Sequence, residues 1–560
     1  MKRKYAVSLS VFLAVCWIAV VWMKTGIYFE TNDDRFIAET LAGAMLAEPD
    51  AHVFYMNYFL SLPISLLYRL TTQVPWYGMI LVLFHAMAYL VVFESAYSRC
   101  TSRQTVMLAI TVLGCSMLLN LYITALLQYT STAALLAVAG YVGLILQKDR
   151  KKGLLFFFLL ELLAFCVRSQ AMLMIQPVGC VTYGALCLSE NGYRFRKEWR
   201  KIAECCAIVC CVLLIGQIGS FIGYHGEKWQ EYKRFNEAET ILFDYFGKPP
   251  YEEVRSILDK YHVTKTEYLA FCDYVTIDWE IPLECMEELA EYASKQNQAT
   301  LDILEVFGQI KDSWDYNHNM GINQACILLW IAMVIWVLFQ HNWGLLLPLS
   351  GLAITHSMVL GYLLWRGRTP ARIMYPMVTA EVLLLLALFI RDWEHYRYPY
   401  KGSRLMIAIL LVIGILWGKS CVDAGREQYH HAKQYNTGQQ VFIEGAVELQ
   451  EYCNHFPENH YLLDAWSYSY YCGSAFETRI YQKANCVLTG SWFSNSPVAC
   501  EYLHQYLEDG KRELYLITYE QKTSNRDYII QFFQEYTGRE AEVVDCLTVS
   551  HGGTYLVYRF

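Results

Sequence analysis

Two adjacent carboxylates, Asp33 and Asp34, stand in the stretch YFETNDDRFIAET at residues 28–40. A carboxylate within reach of a hydroxyl can take its proton, and an acid at such a place can also hold a divalent cation. The same residues suit a helix start. Thr31 as N-cap with Asp34 three residues on has the spacing of a capping box, and acids are favourable at the positive end of a helix dipole. Residues 35–46 follow, with Phe36, Ile37, Thr40, Leu41, Ala44 and Met45 at the spacing of an interfacial helix face. Capping therefore accounts for the acids unless their surroundings ask for more.

A second group of residues with chemical potential is cationic. The loop WRGRTPARIMYP carries Arg366, Arg368 and Arg372, and CVRSQ carries Arg168. The planar fork of arginine matches phosphate oxygens. The bland alternatives are pairing with lipid headgroups or with acids of the polar regions and, for Arg168, snorkelling from a membrane helix. Arg35, directly after the acids, joins Tyr55 and Asn57 of the following aromatic stretch as substrate-binding candidates. His85, Glu94, Glu161, His356 and Glu381 fall in or near apolar runs, where ionisable groups usually face a bundle or cavity; singly they name no reaction. There is no phosphate-binding P-loop, no nucleophile elbow, no dinucleotide fingerprint and no Cys-x-x-Cys pair for zinc.

The elements that must position these residues are mostly membrane helices. Of 560 residues, 55% are hydrophobic and 18% charged, with a mean hydropathy of +0.22. That composition suits a many-span membrane protein with polar parts, and a net charge of -8 gives no reason to expect nucleic acid. Met-Lys-Arg-Lys opens a first apolar run that lacks a small-residue cleavage pattern, so it reads as an uncleaved helix starting in the cytoplasm. Apolar runs at 5–23, 76–97, 104–123, 128–147, 153–167, 171–188, 202–224, 321–339, 344–365, 373–390 and 405–417 give about eleven spans. Residues 52–70 are also long enough to cross. If they did, SRCTSR, KDRKK and YRFRKEWRK would all lie outside, against the positive-inside rule. The stretch, with Pro63 and several tyrosines, reads instead as an interfacial or re-entrant helix.

This topology places three polar regions on one outer side: the first loop 24–75, residues 225–319, and the tail from 421 to 560. The arginine loop falls on that side too, where the charge rule alone does not explain it. The middle region has helical apolar spacing. In the tail, HYLLDA, ELYLITY, AEVVDCLTV and TYLVYRF read as strands, and SPVACEYLHQYLEDG and SNRDYIIQFFQEYTG as helices. The predicted organisation is a membrane module 1–224, a helical insertion 225–319, a second membrane module 320–420 and an α/β domain 421–560. Cysteines of the outer parts have no pairing that the sequence dictates. No Asn-x-Ser/Thr acceptor occurs in the three outer regions, which points toward a bacterial plasma membrane.

The order of features resembles the GT-C superfamily of membrane glycosyltransferases, of the protein O-mannosyltransferase and lipid A aminoarabinose-transferase type. A first span is followed by the acidic pair Asp33-Asp34-Arg35-Phe36, an amphipathic helix, and then YFLSLPISLLY in place of the family's double-proline stretch. The likeness covers roughly the first hundred residues plus the many-span plan and exported tail. It implies a GT-C-like fold and transfer of a sugar from a polyprenyl-phosphate donor to an outer-face hydroxyl on a glycan, lipid or protein. In it Asp33 or Asp34 acts as base or positions the acceptor, and either holds the divalent cation that some members carry. A leaving phosphate requires facing cations independently of any resemblance, and Arg366, Arg368, Arg372 and Arg168 are the candidates. The competing functions are a transporter or flippase of lipid-linked glycans, and a non-catalytic scaffold with an exported binding domain.

Overall fold

The computed structural model describes residues 3–46, 48–100, 102–190, 195–277, 280–296, 308, 311, 322–366, 370–393, 403–468, 471–508, 512–520 and 527–560. The chain forms two compact units, each gathered from three separate segments. One consists of Met1–Ile27, Met79–Ile218 and Leu301–Asn436, the other of Tyr28–Gly78, Gly219–Thr300 and Thr437–Phe560. The second unit thus unites the three polar regions that the sequence divides into a loop, an insertion and a tail.

The first unit is a bundle of apolar helices. Among the described residues, nine helices of the chain are long and apolar enough to cross a membrane. Arg150–Glu190 has 41 residues, about 60 Å of helix and twice the hydrocarbon thickness. Its backbone leaves the helical region at Arg168 (φ -158°, ψ 102°), dividing it near the boundary expected between the spans 153–167 and 171–188. Arg103–Leu119, at 17 residues, is a shorter apolar helix where 104–123 was expected to cross. Tyr129–Leu146 is the buried centre of this unit; its Ala133, Ala134, Ala137, Ala139 and Gly140 present small side chains that permit close helix packing.

The last apolar helix corrects the sequence reading. It does not stop at 417 but runs Ser403–His455, 53 residues. Polar residues take over its exposed positions, while Ala424, Ala432, Ile443, Ala446 and Cys453 keep a buried stripe at helical spacing. No proline interrupts it before Pro457, which then ends it.

The second unit holds a five-stranded sheet in the order Val487–Thr489, His460–Asp464, Leu514–Tyr519, Thr554–Arg559, Glu542–Thr548. The first three strands are parallel and the last two antiparallel. His460–Asp464 and Val487–Thr489 are buried throughout, as parallel strands covered on both faces should be, whereas the edge strand Glu542–Thr548 is exposed. Ser496 accepts from the Ala499 N–H at 3.1 Å and so caps Pro497–Glu508. Among the described residues, the middle region forms four α-helices, Glu227–Thr240, Tyr251–Lys260, Lys265–Cys272 and Leu283–Gln296, around Phe235, Leu242, Val254, Leu258 and Leu289. A second core joins Ala270, Val275 and Ile277 of this region to Leu462, Val487, Leu516, Ile529 and Phe533 of the tail. Of residues 52–70, only Tyr58–Leu70 is helical. Its 13 residues span about 20 Å, less than the hydrocarbon thickness.

The loop after Val487–Thr489 turns on Gly490, whose φ of +102° excludes other residues on strain alone. A Cβ there would also meet the Tyr274 carbonyl oxygen at 1.5 Å, a backbone atom that cannot swing aside. Gly490→Ala should therefore destabilise the protein by about 2–4 kcal/mol. A thermal unfolding temperature equal to that of the parent protein would show that the loop is not held as described.

Candidate functional site

Helix Asn32–Ala42 carries the acids, and its N-terminus differs in detail from a capping box. Thr31 is the N-cap with extended backbone, but its side chain accepts no N–H. Its hydroxyl instead donates to Asp34 Oδ2 at 3.2 Å. Asp34 Oδ1 accepts from the Tyr77 hydroxyl at 2.7 Å, and both side chains are 0% exposed. The Tyr77 backbone N–H donates in turn to the Tyr68 hydroxyl at 3.1 Å. Asp34 is therefore locked into the unit from both oxygens.

Asp33 has a different environment. Successive side chains on a helix diverge by about 100°, so the burial of Asp34 turns Asp33 to another side. Asp33 is half-buried and contributes charge to the surroundings of Tyr274. Burial, then Glu239, Asp244 and Asp33, together push the Tyr274 hydroxyl up from its ordinary range. Glu239 is pushed up to about 8, by burial first and by the Asp244 charge second. At neutral pH such a carboxyl keeps its proton. Glu239 and Tyr274 are the residues that reading the sequence missed. They lie in the middle region with no motif around them, more than two hundred positions from the acids.

Arg35 is wholly buried. Its Nη1 donates to the Tyr468 carbonyl at 3.0 Å, and its guanidinium carbon lies 4.2 Å from the Phe36 ring, 4.6 Å from Tyr468 and 4.0 Å from Tyr471. Glu39, one turn along, approaches it at 3.9 Å. Burial acts to lower the Arg35 pKa, and the Glu39 and tyrosine charges more than offset it. In this structure the guanidinium is engaged by the protein itself, which makes Arg35 a positioning residue for the helix. Phe29 N–H donates to the Gly473 carbonyl at 3.0 Å and adds a backbone tie between the same segments.

Asn57 caps Tyr58–Leu70 by accepting from Phe59 N–H, and its amide donates to Ser220 at 3.2 Å. Tyr55 is half-buried, edge-on to Trp492 at 5.3 Å. Phe493, the next residue, packs on Phe36 at 5.9 Å. The tail loop therefore reaches both the acid helix and the aromatic stretch.

The arginine candidates lie in the helical unit. Arg366 is the C-cap of Leu346–Trp365, where the helix dipole welcomes a cation. Arg372 sits in the first turn of Ala371–Trp393, where the dipole disfavours one. Arg368 lies outside the described residues. Arg168 stands at the break in Arg150–Glu190, with its guanidinium 5.4 Å from the Tyr129 ring. Among the described residues no cluster of three metal-ligating side chains occurs.

No family model and no curated protein matches the chain. Among solved structures, it aligns with the crystal structure of ArnT from Cupriavidus metallidurans bound to undecaprenyl phosphate, at 10% identity and a TM-score of 0.38, over 98% of this chain and 97% of that one. The apo form of the same protein aligns at 10% identity with a TM-score of 0.41, over the same shares of both chains. Likeness at this level assigns no role to any residue here.

The Arg35–Glu39 pair makes stability depend on pH. Glu39 is raised from 4.5 to about 7, by burial first, with Arg35 and the tyrosine hydroxyls opposing. The folded state thus holds this proton more tightly than the unfolded one. Its contribution is complete below pH 4.5 and is lost as pH rises through about 7. Glu39→Gln does not titrate, so the difference in unfolding temperature between parent and variant should change across that window. Parallel profiles between pH 4.5 and 7 would refute the assignment.

Proposed function

We propose that the chain is an integral-membrane glycosyltransferase. It moves a sugar from a polyprenyl-phosphate-linked donor to an acceptor hydroxyl on a glycan, lipid or protein at the outer face of the membrane. The observation that carries this reading is the division of the acid pair. Asp34 is fixed by Tyr77 and Thr31 in the core, while Asp33 is half-buried on another side of the helix and its charge reaches Tyr274. A carboxylate that only capped its helix would not need a fully buried neighbour to fix its direction.

In the proposed reaction Asp33 takes the proton of the acceptor hydroxyl as that oxygen bonds to the anomeric carbon. The bond from anomeric carbon to phosphate oxygen breaks, and the phosphate leaves with its electron pair. With base and leaving group on opposite sides of the sugar, the anomeric centre inverts. Arg372, Arg366, Arg368 and Arg168 are the proposed partners of the phosphate. Arg372 is the strongest of them, because its place in a first helical turn has no local electrostatic benefit.

Bound lipid provides the first test. The purified protein should carry a polyprenyl phosphate or its sugar by native mass spectrometry, and should bind added undecaprenyl phosphate. Arg372→Gln should weaken that binding tenfold or more, and Arg372→Lys should not restore it, since a point charge cannot replace the bidentate fork. Asp33→Asn should keep the lipid and the fold but lower turnover about 100-fold or more. Asp34→Asn should instead cost about 1–3 kcal/mol of stability through the buried Tyr77 bond. A protein that binds no polyprenyl lipid, or an Asp33→Asn variant with full turnover, would defeat the proposal.

A further inference from the structure

Cys453 lies in the last turn of Ser403–His455, and Cys486 directly precedes the strand Val487–Thr489. Both side chains are 0% exposed. Asn485 fastens the two backbones together. Its N–H donates to Asn454 Oδ1 at 2.7 Å, and its amide donates to the Cys453, Phe456 and Asn459 carbonyls at 3.1 Å each. The Cys486 thiol lies within hydrogen-bonding reach of the Cys453 thiol. Cys500, by contrast, directs its sulfur to the Ser494 carbonyl at 3.5 Å, and Cys546 is exposed on the edge strand.

We propose that Cys453 and Cys486 form a disulfide in the mature protein. The inference is independent of the glycosyltransferase reading; it requires only that the polar unit face an oxidising compartment. Two S–H bonds break and one S–S bond forms. Two protons and two electrons pass to a disulfide oxidant, a protein or small-molecule disulfide that is reduced to the dithiol through a mixed disulfide. Because both sulfurs are enclosed in the folded unit, exchange takes place before the Asn485 bonds close. The loop so closed contains His460–Asp464, Tyr468 and Tyr471, so the bond fixes both ends of the segment that seats Arg35.

A second pair supplies an internal control. Cys180 and Cys205 are also within hydrogen-bonding reach of each other, but they lie on the apolar helices Arg150–Glu190 and Phe195–Tyr224. Lipid-enclosed thiols have no access to a soluble disulfide oxidant. They should stay reduced.

The experiment is a thiol map of the full-length protein. Membranes are quenched with an alkylating reagent under denaturing conditions, digested without reductant and analysed by mass spectrometry. The expected result is a peptide pair linked through Cys453 and Cys486, lighter by two hydrogens than the two thiol peptides together, which separates on reduction; Cys180 and Cys205 are found alkylated. Recovery of Cys453 and Cys486 as alkylated thiols overturns the proposal, as does a Cys180–Cys205 link in their place. A second measurement does not depend on digestion. Reductant should lower the unfolding temperature of the parent protein by roughly 5 °C or more and leave a Cys453→Ser/Cys486→Ser variant unmoved. Equal shifts in the two proteins overturn the proposal as well.

Discussion

A guanidinium withdrawn from water must recover inside the fold what it loses in hydration, at a penalty of several kcal/mol. Arg35 recovers part of it with a carbonyl on Nη1, a carboxyl group one helical turn away and the faces of three aromatic rings, while its Nε and Nη2 have no hydrogen-bond partner among the described residues. Only Glu39 and Phe36 come from its own segment. The Tyr468 carbonyl and the rings of Tyr468 and Tyr471 belong to the tail, more than four hundred residues later. Helix Asn32–Ala42 can therefore hold its position only when the tail is folded around it.

The acids inherit their geometry from that seat. Asp34 and Arg35 are neighbours of opposite charge, both fully buried, and each is held by different partners, Asp34 by Tyr77 and Arg35 through Nη1 by the Tyr468 carbonyl. Two such fixed points one residue apart leave the first turn of the helix little rotational freedom. Preorganisation of this kind is what a general base needs, because a reacting group must be held close to its productive geometry before the substrate arrives.

Much of the fold was legible in the sequence, and for a physical reason. A membrane helix is specified by length and hydropathy, both local properties, so the order of spans could be read directly. The break at Arg168 appeared where charge interrupted an apolar run. Four strands of the tail were visible from their apolar patterns; Val487–Thr489 was not, having only three residues and no alternation. The long reach of Ser403–His455 was missed because hydropathy falls after Trp417 although helical periodicity continues. The candidate site was legible only as residue types in a suggestive place. Tyr77, Tyr274 and Tyr468 carry no motif, and nothing near Arg35 in the chain indicates that it will be enclosed. Adjacency to the acids makes Arg35 a substrate candidate on paper, and its burial is a property of partners brought in from the tail.

The same convergence bears on where selectivity for an acceptor would reside in the proposed reaction. Phe36 and Tyr55 of the first loop meet Phe493 and Trp492, in the loop that follows the strand Val487–Thr489. That loop starts at Gly490, pressed against the carbonyl of Tyr274, whose hydroxyl shares its surroundings with Asp33. The neighbourhood of the acid is thus built from all three polar segments. Loops at the carboxyl ends of parallel strands are a common place for ligand contacts, because the strands end there and the chain is free to vary. A substitution at Trp492 would alter this neighbourhood while leaving in place the Phe493 contact to the helix that carries Asp33. In the proposed reaction the first loop would supply the acid, and the tail, whose Tyr468 and Tyr471 seat Arg35, would supply the adjustable wall.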